Sequence, residues 1–332
     1  MTARGPMLIV GGYGYDNVGD EAILAGLVTR HAGESISVVS RSPARTTAMH
    51  GVPAIGLLQA VPALRRHRTV LIGGGALFSK DVGRVGHLLP WYGLVAAALG
   101  RTILVDGVGI DAQTPRFVRM ALLPLLRRAE RIAVRDRQSL AVLRAWGLDA
   151  VVEPDISEAM PPAGPRAGAR ILETAGVDLR RPVVGLSLTA VNPVLTEAVV
   201  AAAIETMDAF PSTQFCFLPM SRHPSVPAHD DMQLALRLQG LRPDARIVGG
   251  GAHPAEMLSA FELLSAAICM RFHSLLFAER SGVPIVAVSY APKTDAWLAE
   301  HQMQPVSPSG RAWTDALRDA LGSSMLMRTR AS

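Results

Sequence analysis

Arg271 and His273 share one short stretch with Lys293: MRFHSLLFAERSGVPIVAVSYAPK, residues 270–293. A planar guanidinium fork, an imidazole and an ammonium gathered in this way suit a small, multiply charged anion. The apolar run 263–270 ends at Arg271, and Ser274 opens an amphipathic segment. Gly282 and Pro284 break that segment, and a second apolar run, 285–288, leads to Tyr290 and Lys293. The order reads strand, charged turn, helix, strand, charged turn. It places Arg271 and His273 at the carboxyl end of one parallel strand, beside a helix start capped by Ser274, and Lys293 at the carboxyl end of another. The unpaired N–H groups of a helix start add to the preference for an anion. Taken singly, Arg271 would pass for a surface ion-pair member and His273 for a turn residue. Gathered at strand ends, they make a binding site.

A second chemical stretch lies near the beginning. The short apolar run 7–10 is followed by GGYGYDNVGDE, residues 11–21, and then by a helical pattern through Ile23, Leu24, Leu27 and Val28. This is strand, glycine-rich loop, helix. It is not a dinucleotide fingerprint, because Asn17 stands where the last glycine is needed, and no GK[ST] follows to make a phosphate loop. Asp20 and Glu21 suit the dipole of a first helical turn, yet they would repel a phosphate there. The loop therefore reads as facing a neutral polar partner such as sugar hydroxyls, with Gly12, Tyr13 and Asn17 as contacts and Asp20 or Glu21 free to take a proton. Gly74 and Gly75, in the GGG run that follows the strand at 70–72, would let the backbone approach the same ligand, or another helix in a tightly packed turn, closely. Asp81, shortly after, is a third candidate base. Arg135 ends the strand at 132–134. Asp136 beside it is explained as a helix N-cap, whereas Arg135 has no local structural reason.

The elements that must position these residues alternate strand and helix along nearly the whole chain, which argues for doubly wound parallel sheets twice over. Glu153 opens a stretch rich in Pro and Gly with little periodicity. The expected organisation is an N-terminal Rossmann-like domain over 1–155, a linker over 156–182, a C-terminal Rossmann-like domain over 183–310, and a terminal helix and tail over 311–332. The helical pattern at 312–321 is expected to cross back to the first domain. Right-handed crossovers bring all strand carboxyl ends to one edge of each sheet, so two such domains would face each other across a cleft.

The 332 residues suffice for two ordinary cores, and 49% apolar with 18% charged residues excludes wholesale disorder. The net charge of +5 is mild, and only two of the basic residues are Lys. The clusters Arg65-Arg66-His67-Arg68 and Arg127-Arg128 lack aromatic interleaving, so they read as a solvated face and no nucleic-acid partner is expected. They would also suit an anionic membrane surface. Cys216 and Cys269 lie in apolar runs and read as buried thiols of a reducing compartment. The histidines are scattered without ligand spacing, so no metal site is expected. The beginning, MTARGPMLIV, is too short for a signal peptide, and no apolar run approaches the ~20 residues that span a bilayer. The expectation is a cytoplasmic protein.

Four stretches together resemble the polysaccharide pyruvyl transferase family: GGYGYDNVGDEAIL (11–24), GGGALFSKD (73–81), VRDRQSL (134–140) and, above all, MRFHSLLFAERSGVPIVAVSYAPK. They occur in the family's order and span most of the chain. The chain departs from the family at Ala291, where an Asp is common, and at Glu153-Pro154-Asp155, where ADP is common. The resemblance implies two Rossmann-like domains of the GT-B glycosyltransferase type. It also implies transfer of the enolpyruvyl group of phosphoenolpyruvate to two hydroxyls of a sugar, giving a pyruvate ketal, with no cofactor or metal demanded. The acceptors it implies are sugars of cell-wall polymers, exopolysaccharides or glycolipids, often lipid-linked at the inner membrane face, with peripheral membrane contact. Matched to the family pattern, Arg271, Phe272 and His273 would hold the donor, with Arg135 and Lys293 closing on it. His273 would donate a proton or neutralise the leaving phosphate, and Asp20, Glu21 or Asp81 would be the base. The same residues leave two other readings open: a nucleotide-sugar glycosyltransferase on the same fold, and a non-catalytic sugar-binding relative.

Overall fold

The computed structural model describes residues 5–75, 77–78, 86–223, 226 and 229–331. The chain divides into two compact units, Met1–Pro161 and Pro162–Ser332.

In the first unit the elements run β1 (Met7–Val10), α1 (Val18–Arg30), β2 (Ile36–Val39), α2 (Pro43–His50), β3 (Ala54–Ile55), α3 (Ala60–Ala63), β4 (Thr69–Gly75), α4 (Leu89–Ala98), β5 (Thr102–Val108), α5 (Arg116–Leu126), β6 (Arg131–Val134), α6 (Arg137–Ala145) and β7 (Val151–Val152). The seven strands lie in the order β3-β2-β1-β4-β5-β6-β7 and every pairing is parallel. A parallel sheet must be covered on both faces, and the sequence obeys that residue by residue. Along β1, Met7 and Ile9 join Ile23, Leu24 and Leu27 of α1 in one core, while Leu8 and Val10 join Leu89, Val118 and Leu122 in the other. The winding reverses between β1 and β4. That switch point leaves a crevice beyond the strand ends, where ligands of open α/β sheets bind.

The second unit runs α7 (Pro165–Thr174), β8 (Val183–Ser187), α8 (Pro193–Ala209), β9 (Gln214–Phe217), α9 (Asp231–Leu241), β10 (Arg246–Ile247), α10 (Pro254–Phe261), β11 (Ala266–Cys269), α11 (Phe272–Arg280), β12 (Ile285–Ala287), α12 (Pro292–Glu300) and α13 (Gly310–Ala331). Its parallel sheet has the order β10-β9-β8-β11-β12, so the switch point falls between β8 and β11.

Three expectations are corrected. The stretch 156–182 is not a linker. Its first part forms the 3-10 turn Ile156–Ala159 packed on α1, where Gly26 is required because a Cβ would stand 2.0 Å from the Ile156 carbonyl oxygen. Its second part holds α7, seated on α10, where a Cβ on Gly168 would stand 2.2 Å from the Ser259 carbonyl oxygen. Proline and glycine at these places serve close packing, and the division falls between Pro161 and Pro162. The final helix does not cross back: Trp313 and Leu317 of α13 are wholly buried in the second unit's core with Val184, Val199 and Ile268. The GGG run does not follow a strand but ends it. Gly73 and Gly75 pair with Asp106 and Val108 of β5.

Candidate active site

Arg271 follows β11 directly. Its extended backbone (φ −74°, ψ 136°) makes it the cap residue of α11, and Phe272 is the first residue of the helix. Ser274 is therefore not the cap. It is buried in the first turn, and its hydroxyl donates to the Arg271 carbonyl at 2.6 Å, bracing the same turn from inside. Arg271 in turn is fixed by Asp231, the first residue of α9. Its Nε lies 3.1 Å from both carboxylate oxygens and its Nη2 2.5 Å from Oδ1. Asp231 Oδ2 also accepts the backbone N–H groups of Met220 and Ser221, at 3.1 and 3.0 Å. Tyr290, past the end of β12, is a further hydrogen-bonding partner of Arg271. Burial works against the Arg271 charge, but Asp231 outweighs it and holds the guanidinium above its ordinary pKa. Burial pushes the Tyr290 hydroxyl up, with the Arg271 charge opposing. Arg271 is thus a permanently charged, oriented fork at the β8/β11 switch point.

Phe272 links the other predicted groups. Its ring meets that of His273 edge-on at 5.7 Å, and Lys293 Nζ, one residue into α12 from Pro292, lies 6.0 Å from its centroid. The Trp297 ring of α12 also stands edge-on to Phe272, 6.4 Å between centroids. Arg271, Phe272, His273 and Lys293 are therefore neighbours, and α11 and α12 both present their positive dipole ends at this edge. Asp231 and Tyr290 are the members that sequence reasoning missed. An acid opening a helix is easily explained by the dipole, which hides a carboxylate that serves a residue forty positions away.

In the first unit, the loop after β1 is held by its own predicted residues. Tyr13 is 1% exposed, and its hydroxyl donates to the Gly73 carbonyl at 2.8 Å, tying the loop to β4. Burial, with Asp20 and Glu21 nearby, holds its pKa well above the ordinary phenol value. This is a brace inside the core and not a platform for a sugar. Asn17 is the N-cap of α1, accepting the Gly19 N–H at 3.0 Å. Glu21 is likewise engaged: Oε1 accepts the Gly14 N–H at 2.8 Å, and Oε2 lies 2.8 Å from His50 Nε2. Of the two acids only Asp20 stays at the switch-point crevice. Its carboxylate lies beside the Cβ positions that Gly12 and Gly75 leave vacant, at 3.7 and 3.0 Å. Gly74 has φ +80°, and a Cβ there would stand 2.2 Å from Ile23 Cγ2, so its place is set by packing on α1. Asp81 lies outside the described residues.

Arg135 emerges from β6 with its side chain 6% exposed, its Nη1 3.6 Å from Asp155 Oδ2 and its Nε 3.7 Å from Asp136 Oδ2. Asp136 caps α6 as expected, accepting the Ser139 N–H. Asp155 of the Glu153-Pro154-Asp155 segment thus neutralises a buried guanidinium. A cavity of about 510 Å³ elsewhere in this unit is bounded by Arg30, Asp106, Arg131 and Glu153, whose charges are spent on one another. It holds none of the predicted residues.

The sequence model of the family described as polysaccharide pyruvyl transferase matches residues 17–292. The chain belongs to that family. It is accordingly a member of a transferase family of polysaccharide biosynthesis. No curated protein matches it in sequence. Solved structures match across nearly its whole length. The UDP-GlcNAc 2-epimerase from Methanocaldococcus jannaschii is 10% identical with a TM-score of 0.65, over 96% of this chain and 92% of that one. The Neisseria meningitidis UDP-GlcNAc 2-epimerase, solved with UDP-GlcNAc, is 10% identical with a TM-score of 0.63, over 94% and 90%. An S. aureus protein, MnaA, solved with UDP, is 9% identical with a TM-score of 0.66, over 95% and 87%. At these identities the likeness shows the fold alone, two Rossmann-like α/β domains of the GT-B type. Among the described residues no helix of this family member is long and apolar enough to cross a membrane.

Proposed function

We propose that the protein is a ketal pyruvyltransferase. It would move the enolpyruvyl group of phosphoenolpyruvate onto two hydroxyls of a sugar in a cell-surface polysaccharide or glycolipid precursor and release phosphate. The observation that carries this reading is the grouping of Arg271, His273 and Lys293 around Phe272 at two helix starts. Phosphoenolpyruvate bears a phosphate and a carboxylate, and three cationic or protonatable side chains with two dipole ends match both.

The chemistry balances as follows. C3 of the enol takes a proton, which makes C2 electrophilic, and a sugar hydroxyl oxygen bonds to C2 while losing its own proton. The C2–O bond to phosphate then breaks with its electron pair going to phosphate. The second hydroxyl closes the ketal at C2, and its proton leaves with inorganic phosphate. His273 is the proposed proton donor or phosphate neutraliser. Asp20 is favoured over Glu21 as the base for its position, because its carboxylate lies beside the bare backbone of Gly12 and Gly75 at the switch-point crevice. The acceptor is proposed as a lipid-linked sugar at the inner face of a membrane.

The test is phosphate release from phosphoenolpyruvate with lipid-linked or nitrophenyl sugars. Loss of turnover in both Arg271→Ala and His273→Ala is the expected result, and full donor binding and turnover in both would sink the site assignment. A melting-temperature shift with UDP- or GDP-sugars and none with phosphoenolpyruvate would instead support a nucleotide-sugar transferase.

A further inference from the structure

Three helices on one face of the first sheet share an outer side that is apolar and basic at once. They lie together: Tyr92 of α4 donates to the Ala60 carbonyl of α3 at 2.8 Å, and the His87 ring, just before α4, meets Phe117 of α5 at 5.3 Å. Their inner residues, such as Ala60, Leu89, Ala96 and Val118, fill the sheet's core. Helices that met only water on the other side would be polar there. Instead Leu58, in the 3-10 turn before α3, is 96% exposed, Met120 of α5 69%, Leu88 62% and Trp91 45%. Leu88, Trp91, Val95 and Leu99 are all exposed and recur at helical spacing, so they form one stripe along α4. Contiguous apolar surface of this kind marks an interaction site.

The charge around the stripe decides the partner. Residues 56–68, 86–101 and 112–129 carry three, one and four Arg and not one Asp or Glu, in a chain whose 33 basic and 28 acidic residues are otherwise nearly balanced. Arg65, Arg66, Arg116 and Arg127 are exposed, and among the described residues none has an ion pair with a carboxylate. A second copy docking through the same face would press Arg onto Arg, since a two-fold contact is self-complementary. An anionic bilayer satisfies both halves of the pattern. Leu, Met and Trp side chains enter the boundary between headgroup and acyl chain, while guanidinium groups reach the phosphates.

We infer that the face formed by α3, α4 and α5 seats the protein on an anionic lipid surface. The inference rests on the exposure and charge of this unit and stands whether or not the donor is phosphoenolpyruvate. Flotation of the full chain with vesicles of phosphatidylcholine, alone or mixed with phosphatidylglycerol, tests it. The chain should float with the mixed vesicles only and be released by salt. The double variant Leu58→Gln/Met120→Gln, both outward positions, should bind about tenfold more weakly. Each of Arg65→Gln and Arg66→Gln should weaken binding about fivefold and reduce the salt dependence. No flotation with mixed vesicles at low salt, or variants that float like the parent, would overturn it. So would sedimentation in which the parent self-associates, the double variant does not, and neither binds lipid, because the face would then belong to a second copy.

Discussion

Asp231 and Arg271 form a bidentate, largely buried ion pair in which the carboxylate has four nitrogen donors, two from the guanidinium and two from the backbone at Met220 and Ser221. The two halves are unequal. Asp231→Ala strands a buried guanidinium and two N–H groups, whereas Arg271→Ala leaves Asp231 its two backbone donors. Urea unfolding should show Asp231→Ala losing about 3 kcal/mol or more and Arg271→Ala clearly less. Equal losses would mean the backbone bonds contribute nothing.

Glu21 and His50 make a comparable tether in the first unit. Glu21→Ala removes the acceptor of the Gly14 N–H and the partner of His50 together, for an expected loss of about 2 kcal/mol. Glu21→Gln keeps an oxygen for Gly14 and should lose less. The same variants examine the preference for Asp20 as base: Glu21→Gln should retain turnover in the phosphate-release assay, and Asp20→Asn should abolish it.

Gly74 should tolerate no side chain. Its φ of +80° is strained for an L-residue, and a Cβ would meet Ile23 Cγ2 at 2.2 Å. Gly74→Ala is expected to lose about 3 kcal/mol, seen as a lowered melting temperature. The companion substitution Ile23→Val removes a Cδ1 methyl but not Cγ2, so it should not rescue the glycine variant.

Glu153 gives a pH dependence with a defined sign. Burial raises its pKa, but the hydrogen bonds and charges of Arg131 and Arg30 outweigh this and the net shift is downward. A carboxylate depressed in the folded state stabilises fully above its unfolded pKa of about 4.3, and that stability is lost as pH falls through the folded value. Glu153→Gln should therefore flatten unfolding free energy against pH below about 4.3 and leave the slope near neutrality unchanged.

Both cysteines should resist alkylation in the native protein. Burial pushes each thiol up to about 12, so almost no thiolate exists near neutral pH. Mass spectrometry after iodoacetamide should find neither Cys216 nor Cys269 modified until denaturant is added.

The positions of Arg271 and Lys293 were legible because both follow apolar runs directly: Arg271 after β11 and Lys293 shortly after β12. In a parallel sheet that local fact fixes which edge they occupy. Partners from distant segments were not legible. Asp231 reaches Arg271, and His50 reaches Glu21, only because separate crossovers return to one sheet edge, and nothing in their own neighbourhoods marks them. Tyr13 misled because an aromatic in a glycine-rich loop looks like a ligand platform, while its hydroxyl found a backbone carbonyl in the core. The supposed linker misled for a related reason. Pro and Gly read as punctuation, but Gly26 and Gly168 show that helices here pack backbone against backbone, which moves the boundary into a single Pro-Pro step. The helix starting at Pro292 went unread because Pro292 and Lys293 suggested only a charged turn.

The contact of Trp297 with Phe272 gives the proposed donor site an optical reporter of its own. Trp297 is stacked on His301 at 4.0 Å and almost wholly buried, so its emission responds to the packing around Phe272 more than to solvent. With Trp91, Trp146 and Trp313 replaced by Phe, one indole would remain, and anion binding beside Arg271 and His273 could be titrated by fluorescence before any acceptor sugar is in hand.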